Sequence, residues 1–330
     1  MSGGPVVGAG LVLALDVGGT KLAAGLVDTG GRLRWSARRS TPPGGTAEEL
    51  FAAVAELLRH AVAAVPEVAA AAGVPPAVSG VGIGCGGPLR WPAGDVSPLN
   101  IPGWRDFPLR ARVAELHPDV PVVLHNDAIA FAAAEQWRGA AAGAGRVLGM
   151  VVSTGVGGGL VLDGVLAGGP TGNAGHVGHL VVEPEGAACG CGGRGCLEAV
   201  ARGPALVAWA LAEGWRPPGG AAGADGVALA AAARAGDPVA AAALRRGGRA
   251  VGTALAGVTA LLDLDVVVVG GGLAAVGPAL FDPLRAAYAE HARMAFQRRV
   301  RIRPAALREP GLVGAAALVV RHRDGGNRVV

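Results

Sequence analysis

Apolar and polar positions alternate between two periods along this chain, and the alternation marks out its elements. Short apolar runs broken by glycine predict strands at Leu11–Asp16, Leu22–Asp28 and Val78–Gly84, with Arg32–Arg38 as a more polar neighbour. A helical period sets in at Thr46 and runs to about Val65, opened by the capping box of Thr46 and Glu49. Pro66–Pro76 is predicted as a loop, and Pro88–Pro108 as an irregular, proline-rich stretch. A strand, Val120–Leu124, ends at His125-Asn126-Asp127, and Ala128–Trp137 has helical composition. The second half opens with a strand at Arg146–Ser153, a glycine turn at Gly155–Gly159 and a strand at Leu160–Asp163. Alanine-rich helices follow at Glu198–Glu213, Val227–Ala235 and Pro238–Leu262. A very apolar strand, Asp265–Val269, runs into Gly270-Gly271-Gly272, a further helix follows, and REPGLVGAAALVVRH predicts a final one.

One pattern occurs twice. ALDVGGTKLAAGLVD and MVVSTGVGGGLVLDG each read as apolar strand, small polar residue, glycine turn and second apolar strand. Tight glycine turns after strands turn several backbone N–H groups toward one point, which suits an anion. One such hairpin is commonplace. Two of them, with a third glycine turn at Gly270–Gly272, point to a nucleoside triphosphate held in a duplicated α/β architecture. Gly82-Ile83-Gly84-Cys85-Gly86-Gly87 also fits G-x-G-x-x-G, but Pro88 and Pro92 follow where a dinucleotide fold needs a helix. A Walker loop is excluded, because the chain's single lysine, Lys21, follows Thr20 rather than glycine.

Composition narrows the partners. At 330 residues and 51% hydrophobic, the chain can fill two cores with a cleft between them. The net charge of +4 is ordinary for this length. The densest basic run, Gln297–Arg303, alternates like a strand with one wet face and has no interleaved aromatic residue, which argues against nucleic acid. The N-terminal run Val6–Leu15 lacks a basic leader and ends in Asp16, so it reads as a first strand rather than a signal. Other apolar stretches are short and glycine-broken, and no membrane partner and a cytoplasmic location are expected.

Three of the four cysteines, Cys189, Cys191 and Cys196, stand in a C-x-C-x4-C loop preceded by His179. A disulfide is the alternative, but clustered thiols with an imidazole in a chain with no export signal favour a closed, structural Zn²⁺ site.

In sequence order, DVGGTK, HNDAIAFAAAE, VVSTGVGGG, CGCGGRGCLEA, VVVVGGGL and PGLVGAAAL resemble the ROK family of sugar kinases. The resemblance spans Leu11 to about Val320. It implies a two-lobed, actin-like and ribonuclease-H-like ATPase fold with a structural zinc loop. The N-terminal lobe would take residues 1–122 and the returning helix 309–322, and the C-terminal lobe residues 123–308. It implies ATP, Mg²⁺ and Zn²⁺ as cofactors, a small sugar as substrate, and an assembly of two or four copies. Asp127 then becomes the general base for the sugar's 6-hydroxyl; from spacing alone it is as much a helix cap. Asp16 would hold Mg²⁺ or its waters, with Gly18, Gly19, Thr20 and Lys21 at the phosphates, Thr154 and Gly155 opposite them, and Gly270 and Gly271 at the nucleoside. Asn126, His179 and Glu198 would bind the sugar, and Asn100 would form another wall.

The chain departs from the family at one position: the E-x-G-H motif is His176-Val177-Gly178-His179 here. An imidazole replaces an anionic acceptor, which opens the sugar's identity between glucose and an N-acetylhexosamine. A ROK repressor would need a helix-turn-helix module, and 10 residues before Leu11 are too few for one.

Overall fold

Strands with unbroken apolar runs lie inside sheets, as burial of both faces requires. The computed structural model describes residues 10–217 and 219–323, so Val6–Ala9 of the first apolar run lie outside the described residues. In the first sheet β1 (Leu11–Val17) is buried along its length except at Asp16. It pairs antiparallel with β2 (Lys21–Asp28), and β2 with β3 (Leu33–Ser40), whose strict alternation of half-buried and exposed residues marks a sheet edge. The capping box forms as predicted at the start of α1 (Ala47–Ala63). Pro66–Pro76, predicted as a loop, instead begins with α2 (Val65–Ala72): Pro66 sits in the first turn, where its missing N–H is not needed, and Gly73 ends the helix at φ 67°.

Next come β4 (Val78–Cys85), the short pair β5 (Leu89–Arg90) and β6 (Asp95–Val96), α3 (Leu109–Leu116), β7 (Val122–Asn126) and α4 (Asp127–Arg138). The sheet order is β3-β2-β1-β4-β7, with β1, β4 and β7 parallel. The second sheet runs β10-β9-β8-β11-β12, from β8 (Val147–Val152), β9 (Val156–Leu162), β10 (Val165–Ala167), β11 (Val266–Gly270) and β12 (Arg301–Pro304). Gly157–Gly159, expected in a turn, belong to β9, and a side chain at Gly159 would overlap the Ala128 carbonyl oxygen. The helix predicted over Glu198–Glu213 breaks at Arg202 into α5 (Leu197–Ala201) and α6 (Gly203–Ala212). Then follow α7 (Gly226–Arg234), α8 (Pro238–Leu262), α9 (Pro278–His291) and the closing α10 (Pro310–Arg323). Gln297–Arg303, read as one strand, is a 3-10 turn at Gln297–Arg299 followed by β12.

The chain divides into two compact α/β units: the first five-stranded sheet lies in one, and β8, β11 and β12 of the second sheet lie in the other. One takes the chain up to Gly145, then Gly159–Gly175 and the stretch from Ala306 on; the other takes Arg146–Gly158 and His176–Ala305. In the first, α10 lies so close on β4 and α4 that a methyl at Gly82 would overlap the Ala315 carbonyl, and one at Gly314 the Ala130 carbonyl. In the second, Gly248 and Gly252 of α8 give the same close approach to α9. No single helix among the described residues is long and apolar enough to cross a membrane.

Candidate active site

In the first unit the parallel register lines up strand ends. Asp16 stands opposite Gly84, which stands opposite His125; Val17, Cys85 and Asn126 form the next row. The carboxyl ends of parallel strands are where α/β sheets open a crevice for ligands, and Asp127 follows directly as the first residue of α4. The cap left open by the sequence is resolved here. Asn126 is the N-cap and its Oδ1 accepts the Ala128 N–H at 3.0 Å, while Asp127 is exposed and its Oδ1 also accepts that N–H at 2.8 Å.

Asp16 and Asp127 share one electrostatic neighbourhood. The Asp16 carboxyl is raised from 3.8 to about 6, first by burial and then by the Asp127 charge, with Glu309 adding and Lys21 and Arg38 opposing. A dication placed there would relieve this crowding of negative charge, so the residues fit Mg²⁺. The Cys85 thiol, fully enclosed at the strand end, is pushed well up by burial and by the same two carboxylates. His125 has no exposure; its Nδ1 accepts the Asn126 N–H at 3.0 Å, its ring stacks on Trp91, and burial lowers it to about 4.

The first glycine turn is held from outside. Gly18 N–H donates to the Lys21 carbonyl at 3.0 Å, and buried Thr41 clasps both ends, its hydroxyl donating to the Gly18 carbonyl at 2.7 Å and its N–H to Thr20. Thr41 was not legible as a site residue, since nothing local links it to a turn 21 positions earlier. Asn100 packs on this turn rather than apart from it: a Cβ at Gly19 would lie 2.8 Å from its side chain. Thr20 and Lys21 remain exposed.

The second unit assembles the other residues. At the turn between β8 and β9 the Ser153 N–H donates to the Gly155 carbonyl at 2.8 Å, leaving Thr154 exposed. Glu198, on the first turn of α5, accepts the Val156 N–H through Oε2 at 2.9 Å, so it sits against this glycine turn. The third glycine turn adjoins the second. Gly271, at φ 92°, lies so close to the end of β8 that a Cβ would overlap the Val152 carbonyl, and Gly272 faces the Ser153 hydroxyl. Gly270 closes β11, buried and level with Val151.

His179, Cys189, Cys191 and Cys196 converge until their ligand atoms all lie within 4.8 Å of one another. Cys191 and Cys196 Sγ are 3.8 Å apart, the edge of a tetrahedron whose Zn–S bonds are about 2.3 Å. His179 points Nδ1 at Cys189 Sγ, 3.8 Å away. The loop is drawn tight at Gly195, where φ is 68° and any side chain would overlap the Glu183 carbonyl. Burial and the two neighbouring thiols push Cys196 up to about 12, a repulsion that Zn²⁺ bound to the cluster removes. The donor set therefore fits a structural zinc. His176 is exposed, its ring 6.1 Å from that of His179 at 19°.

The ROK family profile matches residues 12–322. A glucokinase from Thermotoga maritima is 33% identical over 326 residues, covering 96% of this chain and 98% of its own. An N-acetylmannosamine kinase from Yersinia pseudotuberculosis is 38% identical over 262 residues, covering 78% and 82%. Among solved structures, a ROK family glucokinase from Streptomyces griseus in complex with glucose and AMPPNP is 34% identical with a TM-score of 0.79, over 94% of this chain and 99% of that one.

Proposed function

This chain belongs to the ROK family and is an ATP-dependent sugar kinase, and from that premise we propose that it transfers the γ-phosphoryl group of ATP to the 6-hydroxyl of glucose. The observation that carries the assignment of roles is the placing of exposed Asp127 beside Asp16 at the carboxyl ends of β7 and β1. Asp127 takes the hydroxyl proton as its oxygen attacks phosphorus. Asn126 has committed Oδ1 to the helix cap, so its amide Nδ2 is what it offers a neighbouring hydroxyl. Asp16, ionised, holds Mg²⁺ or its waters, and the ion supplies charge neutralisation at the β- and γ-phosphates. Gly18, Gly19, Thr20 and Lys21 receive phosphate, as do Thr154 and Gly155, and Gly270 and Gly271 lie against the nucleoside.

His179 gives Nδ1 to zinc and keeps Nε2 for the sugar. Glu198 has Oε1 to spare for a hydroxyl, since only Oε2 is engaged by Val156. Asn100, packed against Gly19, forms another wall of the sugar pocket. The reduced cysteine cluster and the use of ATP support a cytoplasmic location.

A coupled kinase assay over hexoses, N-acetylhexosamines and amino sugars tests the reading, with glucose expected to give the highest kcat/KM. Asp127→Asn should lower kcat by about 10²- to 10⁴-fold with little change in sugar binding; near-normal turnover removes Asp127 from the base role. A second reading, an N-acetylhexosamine kinase, rests on His176 in place of a glutamate and on the N-acetylmannosamine kinase relative. An anionic acceptor contributes roughly 1.5–3 kcal/mol to a hydrogen bond, about 10- to 100-fold in affinity. His176→Glu should therefore raise kcat/KM for glucose and shift its ratio to N-acetylated sugars. Unchanged values for every sugar put residue 176 outside the pocket.

A further inference from the structure

The arginine-rich run near the end of the second unit lies outside the residues assigned above to sugar phosphorylation. Arg285 of α9, Arg293 just beyond its end and Arg298 of the adjoining 3-10 turn line a cavity of about 480 Å³, whose wall includes Tyr288, Val300 and Ile302, and no carboxylate lines it. Tyr288 is a fixed part of that wall: it is buried, and its hydroxyl donates to the Gln297 carbonyl at 2.7 Å. Arg285 is steadied by the Ile302 carbonyl at 3.5 Å and by the Phe281 ring. Arg293 and Arg298 are exposed and, with Arg299 and Arg301, pair with no carboxylate among the described residues. Other arginines of this unit do find acids, as Arg246 finds Glu183 and Arg249 finds Glu290.

Guanidinium groups gathered in a concavity without counter-charge focus a positive potential into it. Their planar forks match phosphate oxygens two at a time. The volume falls within the roughly 300–1,000 Å³ of small-molecule sites. It is also remote from the donor turn along the sheet. β11 and β12 are parallel, Val266 pairs with Arg301, and the glycine turn follows the carboxyl end of β11, whereas Arg298 and Val300 precede the amino end of β12.

We propose that this cavity is a second anion site, separate from the kinase centre, which takes a small compound bearing two phosphate groups through Arg285, Arg293 and Arg298. The test is calorimetric titration of the whole protein, holding one equivalent of AMPPNP so that the donor site is filled without excess triphosphate, with pyrophosphate in one arm and a hexose bisphosphate in the other. One further site per chain is expected at about 0.15 M salt, and the tighter ligand identifies whether the two phosphates come free or on a sugar. Arg293→Glu with Arg298→Glu, both surface changes, should weaken that binding at least about tenfold and leave kcat for the sugar reaction unchanged. Absence of the extra site in both arms, or binding undiminished in the double variant, overturns the proposal. So does retention of a short DNA duplex by these arginines when pyrophosphate neither binds nor competes. The calorimetric readout does not depend on which sugar the kinase centre accepts.

Discussion

Asp16 shows what burying one carboxyl group beside another costs a folded chain. With its folded value raised from 3.8 to about 6, the native state keeps a proton that the unfolded chain has already released between those values. Stability therefore falls as pH rises from about 4 to about 6, and the penalty is complete above that. Asp16→Asn removes the ionisation. The variant should be more stable than the parent at pH 8 by about 1–3 kcal/mol, and the gain should vanish near pH 3, in melts without Mg²⁺ or nucleotide. It should also lose turnover. A variant less stable than the parent at pH 8 would show that Asp16 is not held against its charge. The neighbouring pair illustrates how a residue's role escapes spacing: Asn126 and Asp127 are both good caps by type, and only the backbone angles put Asn126 in the cap.

The zinc loop was legible as an element because its ligands lie close in sequence and glycine is needed where its backbone turns left-handed, at Gly192 and Gly195. What spacing left open was the fourth ligand's orientation, settled by the 3-10 turn Val177–His179 that packs on the start of β9. Metal analysis should find about one zinc per chain. Cys191→Ser should lose the metal and weaken sugar binding, and a chelator should lower the melting temperature of the parent but not of the variant. A metal-free parent with full activity and an unchanged melt would remove the structural role. Cys85 belongs to β4 and lies outside the cluster, so its replacement by serine should leave the zinc content as it is.

For the whole molecule, the decisive connection is the return of the chain into the first unit. Glu135 of α4, with no exposure, accepts the N–H groups of Ala306 and Leu307 at 3.1 Å and that of Ala140 at 2.7 Å. It thereby pins the segment that leads into α10, whose glycine-lined face then seals β4 and α4. Glu135→Ala leaves those buried donors without an acceptor and should destabilise the protein by about 3–5 kcal/mol. Denaturant unfolding measures this directly; a loss below about 1 kcal/mol would mean that water replaces the carboxylate without cost.

The amino-acid sequence by itself determined the paired glycine hairpins, the α/β class, the cysteine cluster and the family, because each rests on residues a few positions apart. Apolar runs and glycine spacing act locally, so they can be read locally. Tertiary structure decided which of Asn126 and Asp127 stays exposed, that Asn100 packs on Gly19, and that Thr41 clasps the first turn. It also turned the expected glycine turn after Gly155 into strand, decided that Glu135 is a structural hydrogen-bond acceptor, and hollowed an arginine cavity from a run that reads as a solvated strand. Each of those depends on which distant backbone comes within hydrogen-bond or van der Waals reach, and packing alone decides that.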